Sequence, residues 1–191
     1  QRTPIGPFDY TDGAADQEIS LNRARRAFEN IEFQPRILRN VESAELGVKL
    51  FGKDMMIPLG IAPTGFTRMM NTDGEIAGAQ VAFKYGAPFC LSTMGTTSIE
   101  EISKSSPGGS NWFQLYLWRD RERSLGLIER AEKAGFDGLV LTVDAQVAGA
   151  RLRDIRNGLT VPPTLTAKTL LNAAPRTSWW WNFLTKEPLS F

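Results

Sequence analysis

Histidine is missing from this chain of 191 residues, and cysteine occurs only once, as Cys90. Histidine is the most common metal ligand and the most common general base in enzymes. Its absence argues against zinc-dependent hydrolysis and against a Ser-His-Asp triad carried by this chain alone. A single cysteine excludes an intramolecular disulfide framework and any metal site built from several cysteines. We therefore predict no metal site in the chain.

An excess of charge and long apolar runs are missing as well. The 22 Lys and Arg residues balance 21 Asp and Glu residues, which leaves a formal net charge of +1. Proteins that bind nucleic acid or anionic membranes usually carry a basic excess, so we expect neither as the main partner. No apolar run approaches the roughly 18 residues that a transmembrane helix needs, and no signal-peptide-like stretch opens the chain. These features predict a cytoplasmic location, with a peripheral position on the inner face of the cell membrane as the alternative.

Four apolar runs follow one another along the chain, beginning near residues 57, 87, 112 and 137. Helical patterns separate them, and two of these patterns open with capping-box spacings, Thr72-x-x-Glu75 and Ser98-x-x-Glu101. Strands that alternate with helices at this interval indicate a parallel sheet with crossover helices. Before them, residues 1–56 are predicted to form a helical preface, with a short turn at 7–13.

The regular pattern fits both a doubly wound sheet and a (β/α)₈ barrel. No Gly-x-Gly-x-x-Gly follows the first run, which counts against a dinucleotide-binding Rossmann domain. Each run ends in a small polar cluster, as in barrel enzymes, whose sites lie at the carboxyl ends of the strands. We therefore predict an α/β fold of the TIM-barrel type, a fold that needs about 250 residues. The first four strands lie within 57–144, and 145–191 is predicted to be a long loop, so the sequence corresponds to half a barrel.

Polar residues at the ends of these runs are the candidate site. Gln114 and Tyr116 share one face of the third strand, and Thr142 and Asp144 share one face of the fourth. Ser92 ends the second strand. Together these side chains suit a planar, hydrogen-bonding ligand, although either pair alone is better explained as a structural hydrogen bond at a strand end.

Two further segments are candidates with local alternatives. Pro63-Thr64-Gly65 ends the first strand, where a glycine allows a ligand to approach the backbone, although a simple turn is the better explanation of this segment taken alone. Arg151 follows the fourth strand and suits a carboxylate, or it is a solvated arginine. The cluster Trp179-Trp180-Trp181 is interpreted as either a subunit contact or a membrane-edge contact.

Several ordered motifs identify a family resemblance along nearly the whole chain. Taken in this order and with this spacing, they resemble the FMN-dependent α-hydroxy-acid dehydrogenase/oxidase family, and within it the bacterial L-lactate dehydrogenases. The motifs are Phe8-Asp9-Tyr10-Thr11-Asp12-Gly13-Ala14, Ile61-Ala62-Pro63-Thr64-Gly65, Leu91-Ser92-Thr93, Phe113-Gln114-Leu115-Tyr116, Leu141-Thr142-Val143-Asp144, Gly149-Ala150-Arg151 and Asp154-Ile155-Arg156-Asn157-Gly158.

The resemblance implies a role for each matching residue. It implies that FMN is the cofactor, bound by Pro63, Thr64, Gly65, Ser92, Gln114 and Thr142. It implies that Tyr10, Tyr116 and Arg151 bind a small 2-hydroxy acid, with Tyr116 and Asp144 in the catalytic set. Asp144 matches the family carboxylate that orients and charges the catalytic histidine.

The resemblance also implies a reaction and its partners. That catalytic histidine belongs to the second, C-terminal half of the barrel, so we expect this chain to be inactive alone. The implied reaction is oxidation of L-lactate to pyruvate with a quinone-type or other electron acceptor, in a homotetramer. An oxygen-using oxidase of the glycolate or mandelate type and a non-catalytic half-barrel are the alternatives.

Overall fold

The computed structural model describes residues 3–145, 147–159 and 171–186. The chain divides into two compact units. One consists of the described residues of 45–146, and the other combines those of 1–44 and 147–186. Each unit is described by itself.

A parallel sheet forms the centre of the 45–146 unit. Its strands are β3 (Phe89–Ser92), β4 (Asn111–Tyr116) and β5 (Gly138–Thr142), in the order β3-β4-β5, with both pairings parallel. An antiparallel hairpin of β1 (Val48–Leu50) and β2 (Lys53–Met55) precedes them. The parallel sheet with consecutive neighbours agrees with the sequence prediction. The hairpin does not, because it places β-structure inside the predicted helical preface.

The first predicted strand is also shorter than expected. Of the apolar run at 57–62, only Ile61 pairs with the sheet, as an isolated parallel bridge to Phe89. Its N–H donates to the carbonyl of Pro88, and its carbonyl accepts from the N–H of Cys90. Pro58 lacks an N–H, which removes one ladder donor from this run. The order of the predicted strands is kept, but the first one is reduced to a single bridging residue.

Three helices and one 3-10 turn connect these strands. The turn is Thr67–Met69, and the helices are α3 (Gly74–Lys84), α4 (Ile99–Ser105) and α5 (Arg121–Lys133). Ser98 and Glu101 form the predicted capping box at the start of α4. The other predicted capping box is wrong: Asp73, not Thr72, is at the N-cap position of α3, its side chain makes no capping hydrogen bond, and Glu75 is buried and bonded to other residues.

The core of this unit lies where α3, α4 and α5 pack on β3 and β4. It includes Ala79, Leu91, Ile102, Phe113 and Leu115, each of which is almost fully buried. Every residue of β3 is buried, as expected for a strand that is covered on both faces. The three central residues of β5 are exposed, although they are equally apolar.

The second unit is helical, and ion pairs of Arg153 with Asp12 and Glu18 join its two parts of the chain. Its helices are α1 (Ile5–Asp12), α2 (Ile19–Glu29), α6 (Leu152–Asn157) and α7 (Thr177–Thr185). The short turn predicted at 7–13 is wrong, since most of it lies in α1. Pro7 is in the first turn of α1, where a missing N–H costs no helical hydrogen bond. The region predicted as a long loop contains α6 and α7, and the tryptophan cluster lies on α7.

None of these helices is both long and apolar enough to span a membrane, within the ranges that the structure describes.

Candidate functional site

A chain of hydrogen bonds joins the carboxyl ends of the three parallel strands. The side-chain amide of Gln114 on β4 donates to Thr142 Oγ1 on β5 over 2.8 Å. Its carbonyl oxygen, Oε1, accepts from Ser92 Oγ on β3 over 3.2 Å. Gln114 is 3% exposed and Ser92 is 7% exposed, so both groups need partners in the protein. The structure thus brings together three of the residues that the sequence selected.

Thr93 fastens the first residues after β3 to β4. Its N–H donates to Gln114 Oε1, and its hydroxyl donates to the main-chain carbonyl of Gln114 over 2.5 Å. The same hydroxyl accepts from the N–H of Tyr116. The sequence motif identifies Thr93 only as a neighbour of Ser92, and its contribution follows from the parallel register of β3 and β4.

The segment Pro63-Thr64-Gly65 is largely exposed in this unit. A Cβ built on Gly65 would lie 3.0 Å from Met94 Cβ and 3.3 Å from the Met94 carbonyl oxygen. The next N–H, that of Phe66, donates to the same carbonyl over 3.0 Å. The glycine therefore allows two strand-end loops to touch, and we assign its small size to loop packing.

Tyr116 and Asp144 differ in how well the strand-face argument places them. Tyr116 is the last residue of β4, half-buried, and in register with Thr142. Asp144 lies two residues beyond the end of β5, in an exposed bend, so the alternation of a strand does not determine its direction. Among the described residues, it has no hydrogen bond or ion pair.

Arg151 and Tyr10 belong to the helical unit, and the structure brings these two together. The Arg151 guanidinium carbon lies 4.7 Å from the centroid of the Tyr10 ring, a cation–π arrangement. Its Nη2 donates to the carbonyls of Tyr10 and Gly13, and its Nε donates to Asp154 Oδ2 over 2.6 Å. Among the described contacts, Nη1 is the guanidinium nitrogen that remains for a ligand.

Asp154 is a partner of Arg151 that the sequence reasoning missed. It is 8% exposed, and its Oδ1 is buried without a hydrogen bond among the described residues. The spacing of three residues within one helical turn was the available signal, because side chains three residues apart on a helix are neighbours.

Arg153 ties α6 to the start of the chain. Its guanidinium lies 3.0 Å from Asp12 Oδ2 and 2.5 Å from Glu18 Oε2. The hydrogen bond with Asp12 is the main reason why the pKa of Arg153 is raised above its ordinary value. Asn157 on the same helix donates to Asp9 over 2.7 Å. These contacts hold the segment that carries Tyr10 and the segment that carries Arg151 in one unit.

Cys90, the one thiol in the sequence, is buried on β3. Burial raises its pKa to about 11, so the thiol stays protonated at neutral pH.

A comparison with known protein families identifies the family of this chain. The chain matches the FMN-dependent dehydrogenase family over residues 1–190. The chain belongs to that family. FMN is therefore its cofactor, as the sequence resemblance predicted.

The relatives match all or nearly all of this chain, but the match covers less than half of each relative's own length. A Mycobacterium tuberculosis protein, provisionally named an L-lactate dehydrogenase, is 53% identical over all 191 residues, which is 46% of its own length. An L-lactate dehydrogenase of Ectopseudomonas mendocina is 39% identical over 95% of this chain and 48% of its own. The chain thus spans about half the length of the curated relatives that it matches.

Solved structures agree with the fold. A monotopic membrane protein, (S)-mandelate dehydrogenase, matches with a TM-score of 0.90 and 34% identity, over 98% of this chain and 50% of its own. A mandelate oxidase matches with a TM-score of 0.77 and 38% identity, over 87% of this chain and 47% of its own. These neighbours have the TIM-barrel fold, and this chain corresponds to part of such a barrel.

The polar groups at the strand ends fit the needs of a flavin ring. The Gln114 amide nitrogen carries two hydrogens, and its described bond to Thr142 uses one of them. Thr142 Oγ1 accepts that bond and keeps its own hydroxyl hydrogen for another acceptor. Amide and hydroxyl groups of this kind match the carbonyl and N–H groups along the edge of an isoalloxazine ring.

Proposed function

We propose that this chain is the N-terminal part, comprising about the first four βα units, of an FMN-dependent L-2-hydroxy-acid dehydrogenase. The assembled enzyme would contain this chain and the second half of the barrel. L-Lactate is the proposed substrate, pyruvate the product and a quinone the acceptor. The observation that carries the proposal is the Ser92–Gln114–Thr142 hydrogen-bond chain at the ends of three parallel strands, in a member of an FMN-dependent family.

The proposed flavin site consists of the strand-end residues of the 45–146 unit. In this proposal, the Gln114 amide and the Thr142 hydroxyl contact the polar edge of the ring, and Ser92 fixes the amide. The exposed backbone of Pro63, Thr64 and Gly65 lies along the ring. FMN, when bound there, accepts the two electrons that leave the substrate.

The proposed substrate residues bind the carboxylate and the hydroxyl of the acid. Arg151 presents Nη1 to the carboxylate, and its other nitrogens are held by Asp154 and two carbonyls. Tyr10 and Tyr116 supply phenol hydroxyls as hydrogen-bond donors. Asp144 orients the base that removes the hydroxyl proton. Because this chain has no histidine, that base would come from the second half.

Relatives favour lactate, but they also define the alternatives. Both L-lactate dehydrogenases match nearly the whole chain. A 4-hydroxymandelate oxidase of Amycolatopsis orientalis is 40% identical over 84% of this chain. A glycolate oxidase of Zea mays is 39% identical over 88% of this chain. The alternative substrates are therefore glycolate and mandelate, with oxygen as the alternative acceptor.

We further propose that the enzyme is a homotetramer, as the family resemblance implies, and works at the inner face of the cell membrane. Trp181 and Leu184 on α7 are three residues apart and exposed, which suits contact with a lipid surface that holds a quinone. The relative described as a monotopic membrane protein supports this location. We expect Trp181→Ser to weaken sedimentation of the enzyme with lipid vesicles. Equal sedimentation of the variant and the wild type would contradict this location.

Anaerobic mixing with substrate tests the reaction directly. The assembled, FMN-loaded enzyme should lose its oxidised-flavin absorption with L-lactate and keep it with D-lactate. A soluble quinone should restore the absorption faster than oxygen does. If mandelate or glycolate reduces the flavin faster than L-lactate, the substrate assignment is wrong. If no hydroxy acid reduces bound FMN, the proposed activity is wrong.

A further inference from the structure

Glu75 is a buried carboxylate for which the proposed reaction has no use. It is 3% exposed and lies in the first turn of α3. Its Oε1 accepts from the N–H of Thr96 over 2.7 Å, and both oxygens accept from the Thr96 hydroxyl over 2.9–3.0 Å. Oε2 also accepts from the Thr97 hydroxyl over 2.8 Å.

These contacts replace the water that a carboxylate would otherwise bind. A buried charge is costly unless hydrogen bonds or an opposite charge compensate for it. Three donor hydrogens from two consecutive threonines make these contacts, with the Thr96 hydroxyl shared between the two oxygens, and the N-terminal end of α3 adds favourable partial positive charge. The loop after β3 is thereby fixed to α3 at Thr96 and Thr97.

That loop is in turn bonded to residues on both sides. Toward β4, Thr93 bonds to Gln114, and toward the end of β3, the Met94 N–H donates to Ser92 Oγ over 3.1 Å. Toward the segment after Gly65, the Met94 carbonyl accepts from Phe66, and the Thr96 hydroxyl oxygen accepts from the Arg68 N–H over 3.2 Å.

One loop therefore joins the two stretches that the proposed flavin site needs. The Ser92 end is bonded to Gln114, and the Met94–Thr96 part is bonded to the residues that follow Pro63-Thr64-Gly65. A change at Glu75 would release the middle of this loop and move both stretches, without removing any group that faces the flavin.

We infer that Glu75 is a positioning residue for the FMN site, acting through Thr96 and Thr97 on the loop after β3. This inference rests on the proposed flavin site and is independent of the substrate. Its first readout is FMN binding to the assembled apoenzyme, measured from the quenching of FMN fluorescence. Thermal unfolding of the same apoenzyme is the second readout, because a purely structural role would appear there alone.

Glu75→Gln is the test variant, and Glu101→Gln is the matched control. Glutamine keeps the size but turns one acceptor oxygen into a donor that faces Thr96 or Thr97. Glu101 has a similar acid-to-amide change in the capping box of α4, where glutamine also functions. We expect Glu75→Gln to raise the dissociation constant of FMN at least tenfold and Glu101→Gln to change it less than twofold.

Thr97→Val is a milder second variant in case Glu75→Gln does not fold. It removes one of the three donors to Glu75, and we expect it to raise the FMN dissociation constant about threefold. Unchanged FMN affinity with a lower melting temperature, in whichever variant folds, would overturn the inference. If the wild type binds FMN but no hydroxy acid reduces it, the proposed reaction fails while the Glu75 inference is still tested by binding.

Discussion

Strands β3 and β5 have similar apolar composition in the same sheet, yet their surroundings differ completely. Leu91 on β3 is 1% exposed, whereas Leu141 on β5 is 46% exposed. Helix α3 and strand β4 contact β3, and Ile99 and Ile102 of α4 belong to the same buried core as Leu91. Among the described residues, strand β5 is bonded on one side, to β4, and is an edge of the sheet. Parallel strands with apolar faces are normally covered on both sides, so the exposed face of β5 is a surface suited to further structure.

The contrast extends to the polar ends of the same strands. Ser92 at the end of β3 is buried and has protein partners for both its donor and its acceptor functions. Thr142 at the end of β5 is half-buried and, among the described residues, only accepts a hydrogen bond. One strand end is thus internally complete, and the other retains a free donor. We propose that the second half of the barrel covers β5 and that FMN uses this donor.

The largest expected effect is a difference in stability between equivalent substitutions in β3 and in β5. Leu91→Ala removes a fully packed side chain and should lower the free energy of unfolding by about 3 kcal/mol. Leu141→Ala should cost less than about 1 kcal/mol in this chain, because its side chain already contacts solvent. In the assembled enzyme, Leu141→Ala should cost about 2 kcal/mol, since the residue would be covered there. Denaturant unfolding measures all three values, and equal costs for Leu141→Ala in the two forms would contradict the comparison.

A smaller effect distinguishes the two strand ends. Thr142→Val removes the acceptor for Gln114 and the free hydroxyl, and should weaken FMN binding about tenfold, which corresponds to about 1.4 kcal/mol. Thr11→Val is the matched control, because Thr11 is exposed and, among the described contacts, its hydroxyl bonds only to the Pro7 carbonyl on α1. Equal FMN affinities for the two variants, measured by fluorescence quenching, would remove Thr142 from the proposed site.

The smallest effect is the ion pair between the helices that cover β3 and β4. Arg130 on α5 lies 2.8 Å from Glu100 on α4, and its hydrogen bond lowers the pKa of Glu100 to about 2. A lowered pKa in the folded state stabilises the fold above pH 4.5, and this contribution is lost as the pH falls toward 2. Both side chains are about half exposed, so Glu100→Gln should cost only about 0.5 kcal/mol at pH 7.

The measurement for this pair is urea unfolding at several pH values. The difference between the wild type and Glu100→Gln should shrink between pH 4.5 and pH 2. A constant difference across that range would show that the pair contributes no pH-dependent stability.

Periodicity predicted the sheet well because apolar runs and turn signals are local. The runs at 87–91 and 112–117 became β3 and β4, and the Ser98-x-x-Glu101 box starts α4 as predicted. Periodicity failed where distant contacts decide the outcome. Glu75 has capping-box spacing, but its side chain is buried and accepts hydrogen bonds from Thr96 and Thr97, which lie 21 and 22 residues further along the chain.

The candidate site could be predicted as a set of residues but not as a set of contacts. The i, i+2 rule placed Gln114 correctly within β4, yet it did not extend to Asp144, which lies past the end of β5. The sequence did not predict Asp154 as a site residue, because its role is to accept a hydrogen bond from the Arg151 guanidinium, and that contact is visible only in the structure. The predicted roles of these residues in binding FMN and the hydroxy acid remain predictions.

Native mass spectrometry of the flavin-bearing species tests the central claim most directly. We predict that FMN and L-lactate oxidation are found only in a species heavier than this 21.2-kDa chain, one that also contains the second half of the barrel. The isolated chain should neither retain FMN nor oxidise L-lactate. A single 21.2-kDa chain that holds FMN and oxidises L-lactate would contradict the account.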